Sequence, residues 1–423
     1  MPSSRFRVPV FFAVILLFSI CGFNPSASAD DVEGASAVQS LAGWLDQHPL
    51  NDKHLKSIAE QTFAATALSK ADAEKTEELL WNARLIALKE SRKAEFDAGK
   101  LTIGNLEMPF WYKVFGDRPE SGRSLFISMH GGGGAPAAVN DQQYENQKRL
   151  YQLEEGVYLV PRAATNTWDL WHQSHIDDFF DRLIADMILF EGVNPDRVFI
   201  MGYSAGGDGV YQLTPRMADR LAAASMMAGH PNEALPDGLR NIGFTIHMGA
   251  NDAAYNRNQK AEEWRDKLVA LKENDKDGYV HEVTLHPGRG HWMNLKDAVA
   301  IPWMARFTRN VWPPKVVWAQ DDVIHSRFYW ISTQASEAKA GDKIIATLKG
   351  NTIVFDHSDA KQVTLLLSDR LLNLDEVITV ESPTHKSSEH KATRTIMAQA
   401  TSLSDRFDCP SIYSATIDVS LSE

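Results

Sequence analysis

Gly202-Tyr203-Ser204-Ala205-Gly206 places a hydroxyl between two glycines, directly after the apolar run Val198 to Met201 and at the head of a helical stretch, Ala205 to Arg216. A serine hydroxyl is a weak nucleophile until a base stands beside it. A tight strand-to-helix turn with glycines two residues to either side holds Oγ at its tip, where such a base can reach it. A second glycine-rich turn, His130-Gly131-Gly132-Gly133-Gly134, follows the apolar run Ser124 to Met129. Bare glycine amides can point into a cleft and receive a developing oxyanion. The candidate donors are Gly131 or Gly132, with Ala205 just after the serine. A phosphate cradle would need Gly-x-Gly-x-x-Gly or a terminal Gly-Lys-Ser/Thr, and this turn has neither.

Two further groups complete the set in the chain order serine, acid, histidine. Gly249-Ala250-Asn251-Asp252 follows the run Ile242 to His247, and Gly288-Arg289-Gly290-His291 follows His281 to Leu285. Each group falls just past the end of a different expected strand. His291 then suits a general base for Ser204, with Asp252 fixing its tautomer and stabilising its cation. The competing acids Asp237, Asp275 and Asp277 lie in loop or helix text. Of the competing histidines, His247 and His281 lie within strands and His286 at a strand end beside Pro287. Asp208, one turn into the helix, reads as a carboxylate favoured by the helix N-terminus. Trp168 and Trp171, with Tyr203, Tyr255 and Trp292, either wall the site against a substrate or simply pack. His172 and His175 lack a third ligand at metal spacing, so neither a metal nor an organic cofactor is expected.

These residues need a frame, and the chain supplies βαβ text from about Leu101 to Trp312. Two extended runs divided by Gly104-Asn105 predict a hairpin at Leu101 to Phe115. Buried strands at Ser124–Met129, Val157–Val160, Val198–Met201, Ala222–Ala228, Ile242–His247 and His281–Leu285 alternate with helices at Asn140–Leu153, Ile176–Phe190, Ala205–Arg216 and Asn258–Leu271. A last helix is expected at Leu295 to Arg309. The expected product is a mostly parallel sheet with helices on both faces and functional loops at the carboxyl ends of its strands. Residues 30–100 read as a helical extension opened by the capping sequence Ser69-Lys70-Ala71-Asp72 and packed on the next domain. After Asn310-Val311-Trp312-Pro313-Pro314, residues 313–423 read as a small β-rich, sandwich-like domain. Its aromatics Trp318, Phe328, Tyr329 and Trp330 could form a core or face a polymer or sugar.

From Leu101 to Arg309 the sequence resembles the α/β-hydrolase family, within it the secreted esterases grouped with polyester depolymerases, feruloyl esterases and dienelactone-hydrolase-like proteins. His130-Gly131-Gly132-Gly133, Gly202 to Gly206, Gly249 to Asp252 and Gly290-His291 carry the resemblance, in family order. It implies an eight-stranded mostly parallel sheet and a triad of Ser204, Asp252 and His291. The helical prefix and the β-rich tail depart from it.

With 43 Lys plus Arg against 55 Asp plus Glu, the 423-residue chain carries a formal charge of −12, and 44% of its residues are hydrophobic. That composition is globular, and without a block of basic residues it offers no footprint for nucleic acid. Arg5 and Arg7, the apolar run Val8 to Phe23 and Ala27-Ser28-Ala29 predict a signal peptide over residues 1–29. The mature protein would then be secreted or periplasmic, with no membrane span and with Cys409 as its one cysteine, its oligomeric state left open. The expected function is cleavage of a small-molecule or polymeric carboxylic ester by the Ser-His-Asp set through an acyl-enzyme. Two alternatives stand: a serine peptidase or acyltransferase on the same frame, or a polymer-binding protein with an inactive hydrolase scaffold.

Overall fold

The structure, a computed structural model, describes residues 29–383 and 385–421. The expected signal peptide, Ala29 apart, lies outside the described residues. Three helices open the described chain: α1 (Ala29–Leu45), α2 (Asp52–Ser57) and α3 (Lys70–Ala98). Ser69 caps α3 as its sequence predicts, its hydroxyl accepting from the Asp72 amide at 3.1 Å.

Eight strands follow: β1 (Lys100–Ile103), β2 (Leu106–Phe115), β3 (Arg123–Met129), β4 (Gly156–Pro161), β5 (Val193–Tyr203), β6 (Ala223–Met227), β7 (Gly243–Gly249) and β8 (Val280–His286). They form one sheet in the order β1-β2-β4-β3-β5-β6-β7-β8. The β1–β2 hairpin and the β2–β4 pair are antiparallel, and every other pairing is parallel. This is the mostly parallel eight-stranded sheet of the α/β-hydrolase fold class. Strands β4, β6 and β7 are buried at every residue, which is why they read as unbroken apolar runs. Strand β8, at the edge, is only partly buried.

Between the strands lie α4 (Ala137–Gln147), α5 (His175–Glu191), α6 (Ala205–Arg216) and α7 (Arg257–Asn274); the last three are close to their predicted spans, while α4 starts three residues and ends six residues earlier than predicted. The helix expected over Leu295 to Arg309 is not one helix. Leu295 is left-handed at φ 59°, and beyond it come a 3₁₀ turn and the five-residue α8 (Ala300–Met304), with Pro302 inside it. A left-handed start and a proline lacking its N–H leave room for a single turn.

The tail holds β9 (Lys315–Ala319), β10 (Arg327–Phe328), β11 (Ile331–Ser332), β12 (Lys343–Lys349), β13 (Thr352–Ser358), β14 (Gln362–Leu367), β15 (Ile378–Ser382), β16 (His385–His390), α9 (Ile396–Asp405) and β17 (Ala415–Ser420). Two sheets result, β10-β11-β14-β17 and β16-β15-β13-β12-β9. Side chains of both share one core, including Trp318, Phe328, Trp330, Ile353 and Leu365. Trp318, Phe328, Tyr329 and Trp330 are all buried, so these four tail aromatics form a core.

The helical prefix touches more than the sheet beside it. α3 reaches α5 through Arg92–Asp186 and Arg182–Glu95 pairs, while α1, α2 and the start of α3 share a core with Ile396, Ala400 and Leu403 of α9. Charged groups close the seam between the tail and the large sheet. Arg309, just past α8, is fully buried and binds Asp408 at 2.8 Å and Asp196 of β5 at 2.8 Å. Arg220 lies 3.2 Å from Asp408 and 2.7 Å from Asp181 of α5, and Arg406 pairs with Asp219 at 2.5 Å. Burial opposes the charge of Asp408, but Arg309 and Arg220 outweigh it and hold the carboxyl far below the ordinary range.

Candidate active site

At the carboxyl end of β5 the chain turns sharply into α6, and Ser204 at the turn has φ 58° and ψ −122°. A non-glycine residue there is strained, and the flanking glycines are what permit it. A Cβ on Gly202 would stand 2.2 Å from the Gly206 carbonyl oxygen, and one on Gly206 would stand 2.2 Å from that of Met129. The turn therefore needs both glycines for contact as well as for conformation.

His291 Nε2 is 3.0 Å from Ser204 Oγ, and its Nδ1 is 2.7 Å from Asp252 Oδ2. Asp252 is buried, and the Arg257 guanidinium stands 3.9 Å from its other oxygen. A carboxylate can only accept, so Nδ1 carries the proton and Nε2 is left as an acceptor facing the hydroxyl. Hydroxyl, imidazole and carboxylate thus form one hydrogen-bonded line from three different loops. Most of the competing groups are engaged elsewhere. His247 and His286 stack on each other with ring centroids 5.4 Å apart and His247 Nδ1 3.2 Å from His286 Nε2, and Asp275 and Asp237 bind Lys315 and Lys343 of the tail. Asp208 accepts from the His230 amide at 2.6 Å, and burial pushes its carboxyl up to about 6.

The glycine turn after β3 is held from behind by a residue the sequence did not single out. Buried Asn140 of α4 accepts from the Gly133 amide at 3.0 Å and donates to the Gly133 carbonyl and to Asn166, each at 3.0 Å. A Cβ on Gly132, whose φ is 116°, would fall 2.0 Å from the Asn140 oxygen. His130 fixes the other end. Its Nε2 accepts from the Ala163 amide at 3.1 Å, so its Nδ1 carries a proton and donates to the Gly131 carbonyl at 2.6 Å. Burial keeps this imidazole neutral, down to about 4. Among the described residues the amides of Gly131 and Gly132 have no acceptor, and the Ala205 amide opens α6. Gly131, Gly132 and Ser204 face a cavity of about 630 Å³ that is also lined by Gln143, Arg149, Tyr203, His291 and Trp292.

The aromatic residues divide. Trp292 is 50% exposed and lines the cavity beside Tyr203, their rings 5.7 Å apart. The Tyr203 hydroxyl is already used: it donates to the His291 carbonyl at 2.5 Å and accepts from the Met293 amide at 3.0 Å. Tyr203 therefore ties the histidine loop to the serine turn and offers the cavity only its ring. Trp168, 65% exposed, packs along Gly133 and Gly134 outside the residues that line the cavity. Trp171 corrects the sequence expectation. It is fully buried under the glycine turn and donates to the His130 carbonyl at 2.9 Å, because an indole in the core must place its N–H on a backbone acceptor. Tyr255 is exposed and covered on one side by Arg257. Among the described residues no group of three or more His, Cys, Asp or Glu side chains is arranged to hold a metal ion.

Comparison by sequence finds no matching family model and no matching curated protein. Among solved structures, the chain is similar to a thermostable esterase at 16% identity and a TM-score of 0.39, over 50% of this chain and 62% of that one. A poly(3-hydroxybutyrate) depolymerase from Bordetella parapertussis matches at 14% identity and a TM-score of 0.37, over 48% and 86%. A Bacillus cereus carboxylesterase matches at 15% identity and a TM-score of 0.35, over 53% and 99%. The chain thus spans less than two thirds of the thermostable esterase. At these identities and TM-scores the three neighbours add nothing to what strand order shows. The chain's own eight-stranded sheet, with its serine turn at the end of β5, is what places it in the α/β-hydrolase fold class.

Proposed function

We propose that this protein is a serine hydrolase that cleaves carboxylic esters through an acyl-enzyme. Ser204 Oγ attacks the ester carbonyl carbon while His291 Nε2 takes its proton, and Asp252 stabilises the imidazolium so formed. The carbonyl oxygen becomes an oxyanion and is received by the Ala205 amide together with that of Gly131 or Gly132. Collapse of the intermediate expels the alcohol, which leaves with the proton from His291. Water then attacks the acyl-serine by the same route, giving the acid and restoring the serine. The observation that supports this most is the unbroken line Asp252–His291–Ser204 on a strained serine turn, 2.7 Å and 3.0 Å long at its two links.

The residues 1–29 carry the further proposal that the mature protein is exported. Expression of the full chain in a bacterial host, with fractionation and N-terminal sequencing, tests it: a mature start at Asp30 is expected, and an uncleaved chain in the cytoplasm would overturn it. Ester cleavage itself is tested with a series of p-nitrophenyl acyl esters and matched p-nitroanilides. Turnover of the esters well above the anilides is the expected result. Preferential cleavage of the anilides would replace the esterase reading by that of a peptidase on the same residues.

A further inference from the structure

The two walls of the cavity at Ser204 differ in chemistry. One is aromatic, made by Trp292 and the Tyr203 ring. The other is the end of α4 and the residues after it, and it presents Gln143, Asn146, Arg149 and Leu150. Arg149 is exposed, and among the described residues its one side-chain hydrogen bond runs from Nε to the Glu145 carbonyl at 3.3 Å. Among the described residues its guanidinium has no carboxylate partner, although it also borders a neighbouring cavity lined by Glu154 and Glu155. The cations around it are engaged: Lys148 pairs with Glu145 at 2.6 Å and lies over the Tyr144 ring, and Arg162 pairs with Asp141 at 2.9 Å. In a chain with a formal charge of −12, no Asp or Glu among the described residues lines the cavity that holds the serine. An unpaired planar fork of N–H donors at the rim of such a cavity matches an incoming carboxylate.

We propose that this cavity selects esters that carry a second, anionic group, a carboxylate held by Arg149 while the ester carbonyl lies at Ser204. The inference rests on Ser204 being the nucleophile and adds the class of substrate. A cavity of about 630 Å³ has room for a short acyl chain with a charged end. The apolar part of the substrate then lies against Trp292, and the Gln143 amide, which has no side-chain hydrogen bond among the described residues, faces the polar part.

The test compares mono-p-nitrophenyl glutarate with p-nitrophenyl valerate, two esters of similar length that differ in the terminal charge. The ratio of kcat/KM, acidic over neutral, is expected to exceed one in the wild type and to fall about tenfold in Arg149→Gln, with part of it restored in Arg149→Lys. The ratio is also expected to shrink as salt rises, since Arg149 is exposed. A ratio that Arg149→Gln leaves unchanged overturns the anion subsite, while turnover of the neutral ester leaves the hydrolase reading standing. Failure of folded protein to turn over either ester removes the hydrolase reading instead. The subsite is then decided by calorimetry of glutarate with the Ser204→Ala protein: binding weakened by Arg149→Gln supports it, and binding that is absent or indifferent to Arg149 overturns it.

Discussion

The Ser204 cavity and the Arg309 seam are both built from charged and polar side chains, but they treat solvent and charge in opposite ways. At the seam, Arg309 and Asp408 are wholly buried, and Arg220, Arg406, Asp196 and Asp219 surround them until each charge has an opposite neighbour. At the cavity, one short line of three groups ends on a serine that opens to solvent, His291 keeps 43% of its side-chain exposure and Arg149 has no ion pair among the described residues. A buried network of paired charges fixes two parts of a chain against each other and offers no group to solvent. A line that ends on an exposed, strained hydroxyl leaves one group free to react and supplies it with a base.

Substitutions sharpen that difference. Ser204→Ala should cost the largest factor, about 10⁵-fold or more in ester turnover, because serine and histidine of such a unit act together. Its denaturation midpoint should stay near the wild-type value, within about 0.5 kcal/mol, since the change removes one half-buried hydroxyl. Asp252→Asn should follow, at about 10⁴-fold in kcat, because an amide favours the wrong histidine tautomer. Steady-state kinetics with urea unfolding on the same preparations checks both. A Ser204→Ala protein that keeps its turnover, or unfolds far more easily, would erase the contrast between the two regions.

The seam should show the reverse pattern. Arg309→Met leaves Asp408 and Asp196 without their shared partner, and loss of one member of a buried pair costs about 3–5 kcal/mol. The expected outcome is a large drop in the urea midpoint, with ester turnover by the fraction that remains folded changed little. A smaller effect comes from His247, whose imidazole is pushed down to about 3, first by burial and then by neighbouring His286. It stays neutral in the folded protein but takes a proton on unfolding, so the unfolded state binds more protons below about pH 6.5 and stability falls as pH drops. Between pH 7 and pH 5 this one group should remove about 2 kcal/mol. His247→Phe should flatten the pH dependence by that amount, as read from urea midpoints at the two pH values. Equal slopes in the two proteins would show that His247 is not held neutral.

The two regions also differ in how far the sequence foretells them. Ser204, Asp252 and His291 follow three separate apolar runs, each within a short glycine-bearing turn, so strand ends alone suffice to gather them. Arg309 and Asp408 stand 99 residues apart, and no local pattern links an arginine after α8 to an aspartate after α9. Asn140 and the Tyr203 hydroxyl escaped for a related reason: a buried side chain that serves a backbone turn has no spacing signature. The sequence left Trp171 open between wall and core because an indole follows the same sequence statistics whether it walls a cleft or fills a core. In the tail, β12 and β13 flank Gly350-Asn351, a turn pair with a strand signature, whereas β16, His-Lys-Ser-Ser-Glu-His, is polar throughout and carries no alternation to read.

The account turns on whether Ser204 is an activated nucleophile. Purified protein treated with a fluorophosphonate probe, beside Ser204→Ala, and mapped by mass spectrometry measures this directly. A single adduct on the peptide containing Ser204, absent from the variant and strongly reduced in His291→Gln, is the predicted result. Folded protein that stays unlabelled, or that is labelled equally in Ser204→Ala, would contradict it.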